Sequence, residues 1–375
     1  FKIPKTARID GCGEEGSENF FVPRKHGVLM QIAPTILSEK PYPVKGWVST
    51  RFNHLINVAG VDKSVEAIKK LDFVLAIDVY MSDFACLADV ILPESTYLER
   101  DESIQNKGGT APGFVMRNKA VEPVGDTKCG YEIFRELARA MKIDKDYTWN
   151  NIDEYRMQQA KGNAELIANL IKNGYVSYKV PKLYYREPKL VAKFIDKYPA
   201  AAEFVDENGE MGSQMKFKTP SGKIELFAPK VEELFAGYGC LNTEGMDVFG
   251  GHKYCLMTGK TALHTNGHTQ NVKILNDMMS ESPVWISPAS AKAEGLKTGD
   301  IVKLKNKFGE QKAKIFVTQG IRDDCLFLYH GFGHVSPGLK RTNGVGTNQS
   351  VLLDPAAGPV VSTMVTNVGV DIVKI

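Results

Sequence analysis

Phe73-Val74-Leu75-Ala76-Ile77-Asp78 is an unbroken apolar run closed by a carboxylate. Such a run predicts a strand buried on both faces, as in a parallel sheet, because a strand with a solvent side would alternate. Just upstream, Asp62 to Lys70 reads as a helix with Val65, Ile68 and Leu71 on one face. Before it, Val48 to Val58 mixes strand-like residues, beginning at Trp47. Downstream, a short helical turn through Ala85 to Ala88 leads to Val90-Ile91-Leu92, read as a second buried strand stopped by Pro93. Strand, helix, strand, helix, strand predicts a doubly wound α/β sheet.

Further along, Tyr131 to Lys142 repeats Ile133, Phe134, Leu137, Ala138 and Met141 at helical spacing. Helices are also predicted over Ala164 to Lys172, ended by Gly174, and over Lys189 to Lys197, ended by Pro199. Lys216 to Thr219 and Lys223 to Phe227 flank Pro220-Ser221-Gly222 and read as a hairpin. After Gly250 the texture turns to strands: Tyr254 to Met257, Val284 to Ser287, Ile301 to Lys305, Lys312 to Val317, Cys325 to Tyr329 and Val368 to Lys374. Short connected strands of this kind close best into a small barrel. The expected division is therefore 1–245 for the α/β region, with helical and hairpin insertions, and 246–375 for the barrel.

The bulk properties exclude several classes. At 375 residues the chain is long enough for two or three domains. Hydrophobic and charged fractions of 43% and 24% are those of an ordinary globular protein. A net charge of +3, with basic and acidic residues interleaved, gives no footprint for nucleic acid. No apolar run approaches the roughly 20 residues of a membrane-spanning helix, so no direct membrane span is expected. The first residue is Phe1 rather than Met, nothing resembling a leader follows, and residues 1–45 read as loop. The expectation is a chain that begins inside a longer one. None of the six cysteines forms a C-x-x-C pair. Cys86, Cys255 and Cys325 read as buried small hydrophobes. Cys12, between two glycines, has no His or Cys beside it to activate a thiol, and the plainer reading is inert.

Four segments carry groups suited to ligand chemistry. Thr258-Gly259-Lys260, followed by His264, Thr265, Asn266 and His268, combines a close-approach backbone with hydroxyl, ammonium, imidazole and amide groups. That mixture suits an anionic, heteroatom-rich ligand; a polar turn with one satisfied histidine fits as well. Zinc at the His pair would need a third ligand that the sequence does not pair with it. Ser287 to Ala291, Gly295 and Gly299-Asp300 read as scaffold: a capped helix, a glycine stop and a turn. His330-Gly331-Phe332-Gly333-His334, then Asn343 to Asn348, would let backbone pass close to a flat ligand while His and Asn meet ring heteroatoms. An ordinary glycine-rich loop is the competing reading. Asp78 ends the buried strand and Asn53 is placed at the end of the preceding one, where open α/β sheets bind ligands. A carboxylate there can take two hydrogen bonds from a guanine edge, or it can cap the helix near Ser82.

Together these segments resemble the dimethyl-sulfoxide-reductase superfamily of molybdopterin oxidoreductases. Leu71 to Glu102, with Ala88-Asp89-Val90-Ile91-Leu92-Pro93, is similar to its third domain, and Tyr254 to Phe332, with Asn271, to its C-terminal dinucleotide-binding barrel, a six-stranded, double-psi-like one. Lys40 to Gly46, Leu92 to Glu102, Glu187 to Phe194 and Thr219 to Leu226 are most similar to catalytic subunits of thiosulfate and polysulfide reductases. The resemblance implies a molybdenum bis(molybdopterin guanine dinucleotide) cofactor and a 4Fe-4S cluster, with metal ligand and cluster cysteines upstream of residue 1. By the motif match, Thr258, Gly259, Lys260, His264, Thr265 and His268 would line pterin and phosphates. His330, Gly331 and Asn348 would close the barrel side, and Asn53 and Asp78 would hold a guanine. Many relatives carry Arg where Lys260 stands; Lys keeps the charge without the bidentate fork. The implied chemistry is reductive sulfur–sulfur cleavage of a small inorganic substrate. Electrons would come from quinol through an iron–sulfur subunit and a membrane subunit, in the periplasm. None of the catalytic groups would lie in these residues.

Two other classes compete. A non-catalytic relative would show degenerate cofactor loops, whereas Thr258-Gly259-Lys260 and His330 to Gly333 keep ligand-facing residue types. A plain nucleotide-binding module would carry G-x-G-x-x-G or a P-loop after the first strand, and neither is present. Within the reductase reading, tetrathionate, arsenate and other oxyanions stay open as substrates.

Overall fold

The computed structural model describes residues 29–108, 111–178, 196, 249–357, 364, 365 and 367–375. Cys12, Cys240 and the hairpin read around Pro220-Ser221-Gly222 lie outside the described residues, as does the helix read over Lys189 to Lys197 apart from residue 196. The chain divides into two compact units, one of Phe1–Glu94 with Lys230–Ile375 and one of Ser95–Pro229.

In the first unit, β1 (Gly46–Thr50), β2 (Phe73–Asp78) and β3 (Val90–Pro93) form a parallel sheet in that order. Val74, Leu75, Ala76 and Ile77 are each at most 4% exposed, so both faces of β2 are covered. Burying each large aliphatic side chain there stabilises by about 1.5–3 kcal/mol. The helices α1 (Ile32–Ser38), α2 (His54–Asn57) and α3 (Val61–Lys70) supply the cover. Ala33 and Ile36 of α1 pack with Ala67 of α3, while Leu55, Ile68 and Phe84 pack on Val74 and Ala76. Asp62 in the first turn of α3 and Lys69 and Lys70 in its last suit the helix dipole.

Three expectations are corrected here. The first strand ends at Thr50, because Arg51 turns the chain with φ 52°; Asn53 is the N-cap of α2, not a strand end. Val90 is 42% exposed, since β3 lies at the edge of the described sheet where fewer side chains reach over it. Cys86 is exposed: its 3-10 turn points Ala85 inward, and the thiol pairs with Ser336 Oγ at 3.0 Å.

The same unit holds the barrel. β7 (Tyr254–Gly259), β8 (Val284–Ile286), β9 (Ile301–Lys305), β10 (Glu310–Val317), β11 (Cys325–Tyr329) and β12 (Val368–Lys374) close in the order β10-β8-β11-β7-β12-β9. β7 runs parallel to β11 and β8 to β10; the other pairings are antiparallel. Leu256, Val284, Ile286, Val302, Leu304, Leu326, Leu328 and Val370 are fully buried inside. β9 shows why: Val302 and Leu304 point in while Ile301, Lys303 and Lys305 alternate outward or partly outward. A short helix, Pro288–Glu294, fits its reading as scaffold, with Ser287 accepting from Ser290 N at its start and Gly295 at φ 61° ending it.

The second unit has an antiparallel sheet of β4 (Gln105–Lys107), β5 (Gly113–Val115) and β6 (Tyr175–Ser177), and helices over Gly130–Ala140, Ile152–Gln159 and Ala164–Asn173. The last ends on Gly174 at φ 69°, as its sequence predicts. In the first of these helices Ile133 and Ala138 are buried, but Phe134 and Met141 are exposed, so the apolar face is narrower than the spacing suggests. Arg156, 3% exposed, ties this unit together by donating to Asp101, Asp153 and the Glu102 and Arg117 carbonyls.

Candidate functional site

The carboxyl ends of parallel strands leave a crevice where outgoing loops part. Arg51 and Asn53 follow β1 and Asp78 ends β2, and they share one cleft with His268 and Asn271 from the segment after β7 and with His334 after β11. Arg51 sits in left-handed backbone at φ 52°, which costs a non-glycine residue about 1–2 kcal/mol. Its Nε lies 2.8 Å from the buried Glu94 carboxylate, so that charge is compensated. Asp78 Oδ1 accepts from Val79 N at 2.8 Å and from Tyr80 N at 3.4 Å, and Oδ2 accepts from Ser82 Oγ at 2.9 Å. An ionised carboxylate has about four acceptor positions, so Asp78 keeps acceptor capacity for a ligand while also serving the local turn.

Asn53 is occupied otherwise. It is 5% exposed, its Nδ2 donates to Asp83 Oδ2 at 2.7 Å, and its Oδ1 accepts from Phe84 N. Its role in this cleft is to hold the loop. Asp83, which the sequence reading did not single out, is the centre of the arrangement. Oδ2 also faces His334 Nδ1 at 2.6 Å, and Oδ1 accepts from Val335 N and Ser336 N at 2.6 and 2.9 Å. Burial would raise the Asp83 pKa, but the hydrogen bonds from His334, Asn53 and Val335 N hold it below the ordinary carboxylate value. Only the polar pair Ser82-Asp83 before a helical turn signals it in sequence.

The second cluster is the barrel rim. Gly259 ends β7 with Phe327 carbons 2.8–2.9 Å from where a Cβ would stand, and its carbonyl accepts from His330 N at 3.0 Å. Lys260 is exposed beside it and Thr258 half-buried. His330 Nε2 pairs with Asn266 Oδ1 at 2.8 Å, and burial together with the Lys260 charge lowers its pKa. Gly331 at φ 92° lies against the backbone of Asn266 and Gly267; a Cβ would stand 2.3 Å from the Asn266 carbonyl oxygen. Thr265 and His268 are exposed.

Two assigned residues leave the ligand-facing set. His264 is 6% exposed, with Nε2 2.8 Å from the Met279 carbonyl and Nδ1 3.2 Å from Thr269 Oγ1, because the turn folds its ring against Phe332. Asn348 is buried, donating to the Leu55 carbonyl and accepting from Ser350 N as a cap. Sequence spacing does not reveal that inward turn. Among the described residues no group of three or more His, Cys, Asp or Glu side chains could hold a metal ion.

The donor set fits a heteroaromatic ring bearing N–H groups. Asp78 keeps acceptor capacity, and Asn271 offers an amide to the same cleft. Lys260 on the rim supplies positive charge for an anionic linker.

The family model of molybdopterin oxidoreductase matches residues 31–140, and that of the molydopterin dinucleotide binding domain matches residues 254–364. The thiosulfate reductase molybdopterin-containing subunit of Salmonella typhimurium is 37% identical over 344 residues, 92% of this chain and 45% of that one. The F420-dependent formate dehydrogenase subunit alpha of Methanocaldococcus jannaschii is 24% identical over 82% of this chain and 41% of its own length. The solved acetylene hydratase of Pelobacter acetylenicus shares the fold, with a TM-score of 0.69 at 20% identity over 93% of this chain and 47% of that one. The chain thus spans less than half the length of these curated relatives.

Proposed function

We propose that this chain, which belongs to the molybdopterin oxidoreductases, is the cofactor-holding part of a molybdenum reductase acting on thiosulfate or polysulfide. The observation that carries the reading is the cleft at the carboxyl end of β1 and β2, where Asp78 meets His268 and Asn271 from the barrel. The substrate class is supported by the 37% identity to the Salmonella subunit. The bound molybdenum–pterin group would supply two-electron chemistry. This chain's residues would bind and orient it: Asp78 accepts from the N–H edge of a base, Lys260 meets negative charge, and Gly331 lets the rim close tightly.

A 4Fe-4S cluster, an iron–sulfur subunit and a membrane quinol-oxidising subunit complete the proposal, with the enzyme in the periplasm. No described helix is long and apolar enough to cross a membrane. The isolated chain would hold cofactor weakly and turn nothing over, since a site shared between two parts loses its preorganisation.

The test uses the full-length protein. Metal and nucleotide analysis should find molybdenum and guanine nucleotide, and viologen-linked assays should reduce thiosulfate or polysulfide. Protein lacking metal and nucleotide would refute the cofactor reading. Cofactor-loaded protein that reduces tetrathionate or arsenate, but neither sulfur compound, would refute the substrate.

A further inference from the structure

Asp83 and His334 are respectively 3% and 2% exposed and stand 2.6 Å apart across 251 residues of sequence. Asp83 receives four donors: Asn53 Nδ2, His334 Nδ1, Val335 N and Ser336 N. An ionised carboxylate has about four acceptor positions and no proton to give, so Asp83 is saturated and His334 Nδ1 must carry the hydrogen. The opposite ring nitrogen, His334 Nε2, has no hydrogen-bond partner among the described residues. His334 lines the cleft containing Asp78 and His268, and it also lines a second cleft with Lys303, Lys312 and Gly346. A buried imidazole with one nitrogen locked and the other left over is the arrangement by which a carboxylate orients a histidine toward a ligand.

We infer that Asp83 is a positioning residue that fixes His334 in its Nδ1–H form, leaving Nε2 to accept a hydrogen bond from an N–H of a heteroaromatic cofactor in the cleft. The ligand part rests on the cofactor reading above. Asp83 does two things at once. It ties the loop after β2 to the segment after β11, and it sets the tautomer of the ring between the two clefts. A neutral amide in its place keeps the size but can donate to Nδ1, which moves the ring hydrogen to Nε2 and turns an acceptor into a donor.

The experiment uses full-length protein with 15N-labelled histidine at pH 8, His334 being assigned by the signal lost in His334→Gln. The expected result is a protonated Nδ1 and a bare Nε2, with the Nε2 signal shifted in cofactor-loaded protein relative to protein made without cofactor. In parallel, guanine nucleotide released per chain is measured for wild type, Asp83→Asn, His334→Gln and Ser336→Ala. The last removes the bonds of Ser336 Oγ, to the Met81 carbonyl, with Cys86 Sγ and from Gly338 N, while keeping the backbone N–H that donates to Asp83 and without touching the ring.

Asp83→Asn and His334→Gln should lose cofactor about tenfold or more, the low end for partners that orient a ligating histidine, while Ser336→Ala stays near wild type. If Asp83→Asn does not fold, His334→Gln decides: retention within about twofold of wild type at equal melting temperature overturns the inference. A hydrogen on Nε2 instead of Nδ1, or equal retention in Asp83→Asn and Ser336→Ala, overturns it while leaving the cofactor reading standing. Wild-type protein free of guanine nucleotide sinks both.

Discussion

Acidification from pH 7 to pH 4.5 should cost the first unit about 2.4 kcal/mol through a single side chain, His54. His54 is 1% exposed, its Nδ1 is buried with no partner among the described residues, and its ring stands edge-on to Trp47 at 5.0 Å. Burial pushes its pKa down from 6.5 to about 4. The folded state therefore keeps a neutral ring while the unfolded chain takes up a proton once the pH drops below about 6.5. Stability present above that value is lost as pH falls, and the loss levels off below pH 4 at about 3.4 kcal/mol. His54→Leu removes both the titration and the buried orphan nitrogen, an orphan worth about 1–3 kcal/mol, against some lost ring packing. At pH 7 the variant should lie close to wild type. By pH 4.5 the difference should have moved in its favour by the 2.4 kcal/mol above. Other titrating groups cancel in the difference. Urea unfolding followed by tryptophan fluorescence at several pH values measures it, and NMR titration of His54 gives the pKa directly. A difference that stays flat between pH 7 and 4.5 would show the ring to be solvated in the native protein and refute the burial argument.

Other perturbations separate local effects. Gly331→Ala should destabilise by roughly 2–4 kcal/mol, combining left-handed backbone with a backbone clash, and by more than Gly344→Ala. Gly344 also has positive φ, but open space around it; equal melting points for the two variants would contradict the close approach at the rim. Arg156→Ala should cost the second unit about 2–3 kcal/mol by removing a buried guanidinium and its charge-assisted bonds to the partly exposed Asp101 and the exposed Asp153, whereas Lys119→Ala, at an exposed ion pair, should leave thermal unfolding almost unchanged. Burial pushes the Cys129 thiol up to about 12 and Cys325 to about 11. At pH 8 mass-mapped alkylation should therefore label exposed Cys86 well before either, and prior labelling of Cys129 would contradict that burial.

Much of the architecture was legible in sequence because periodicity is a local property. Phe73 to Asp78 announced a strand buried on both faces, and Val302 and Leu304 alternated as a barrel strand must. All six barrel strands were anticipated within about two residues at each end. Errors came where local pattern underdetermines burial. Val90-Ile91-Leu92 is as apolar as a buried strand but lies at an edge, and Phe134 fits the helical period yet stays exposed.

For the site, sequence supplied residue types and tertiary structure decided which way they face. Asp78, His268, Lys260 and His330 could be named from the chain because charge and hydrogen-bonding capacity belong to the residue itself. Packing turned His264 and Asn348 inward, since each found donors and acceptors in the fold that spacing along the chain does not show. It also joined Asp83 to His334 across 251 residues, a pairing that no local pattern encodes because neither residue needs the other until the sheet and the barrel are folded. The apolar run that fixed the sheet thus determined where a ligand cleft must open. The long-range carboxylate–imidazole contact decided which groups are left free to fill it.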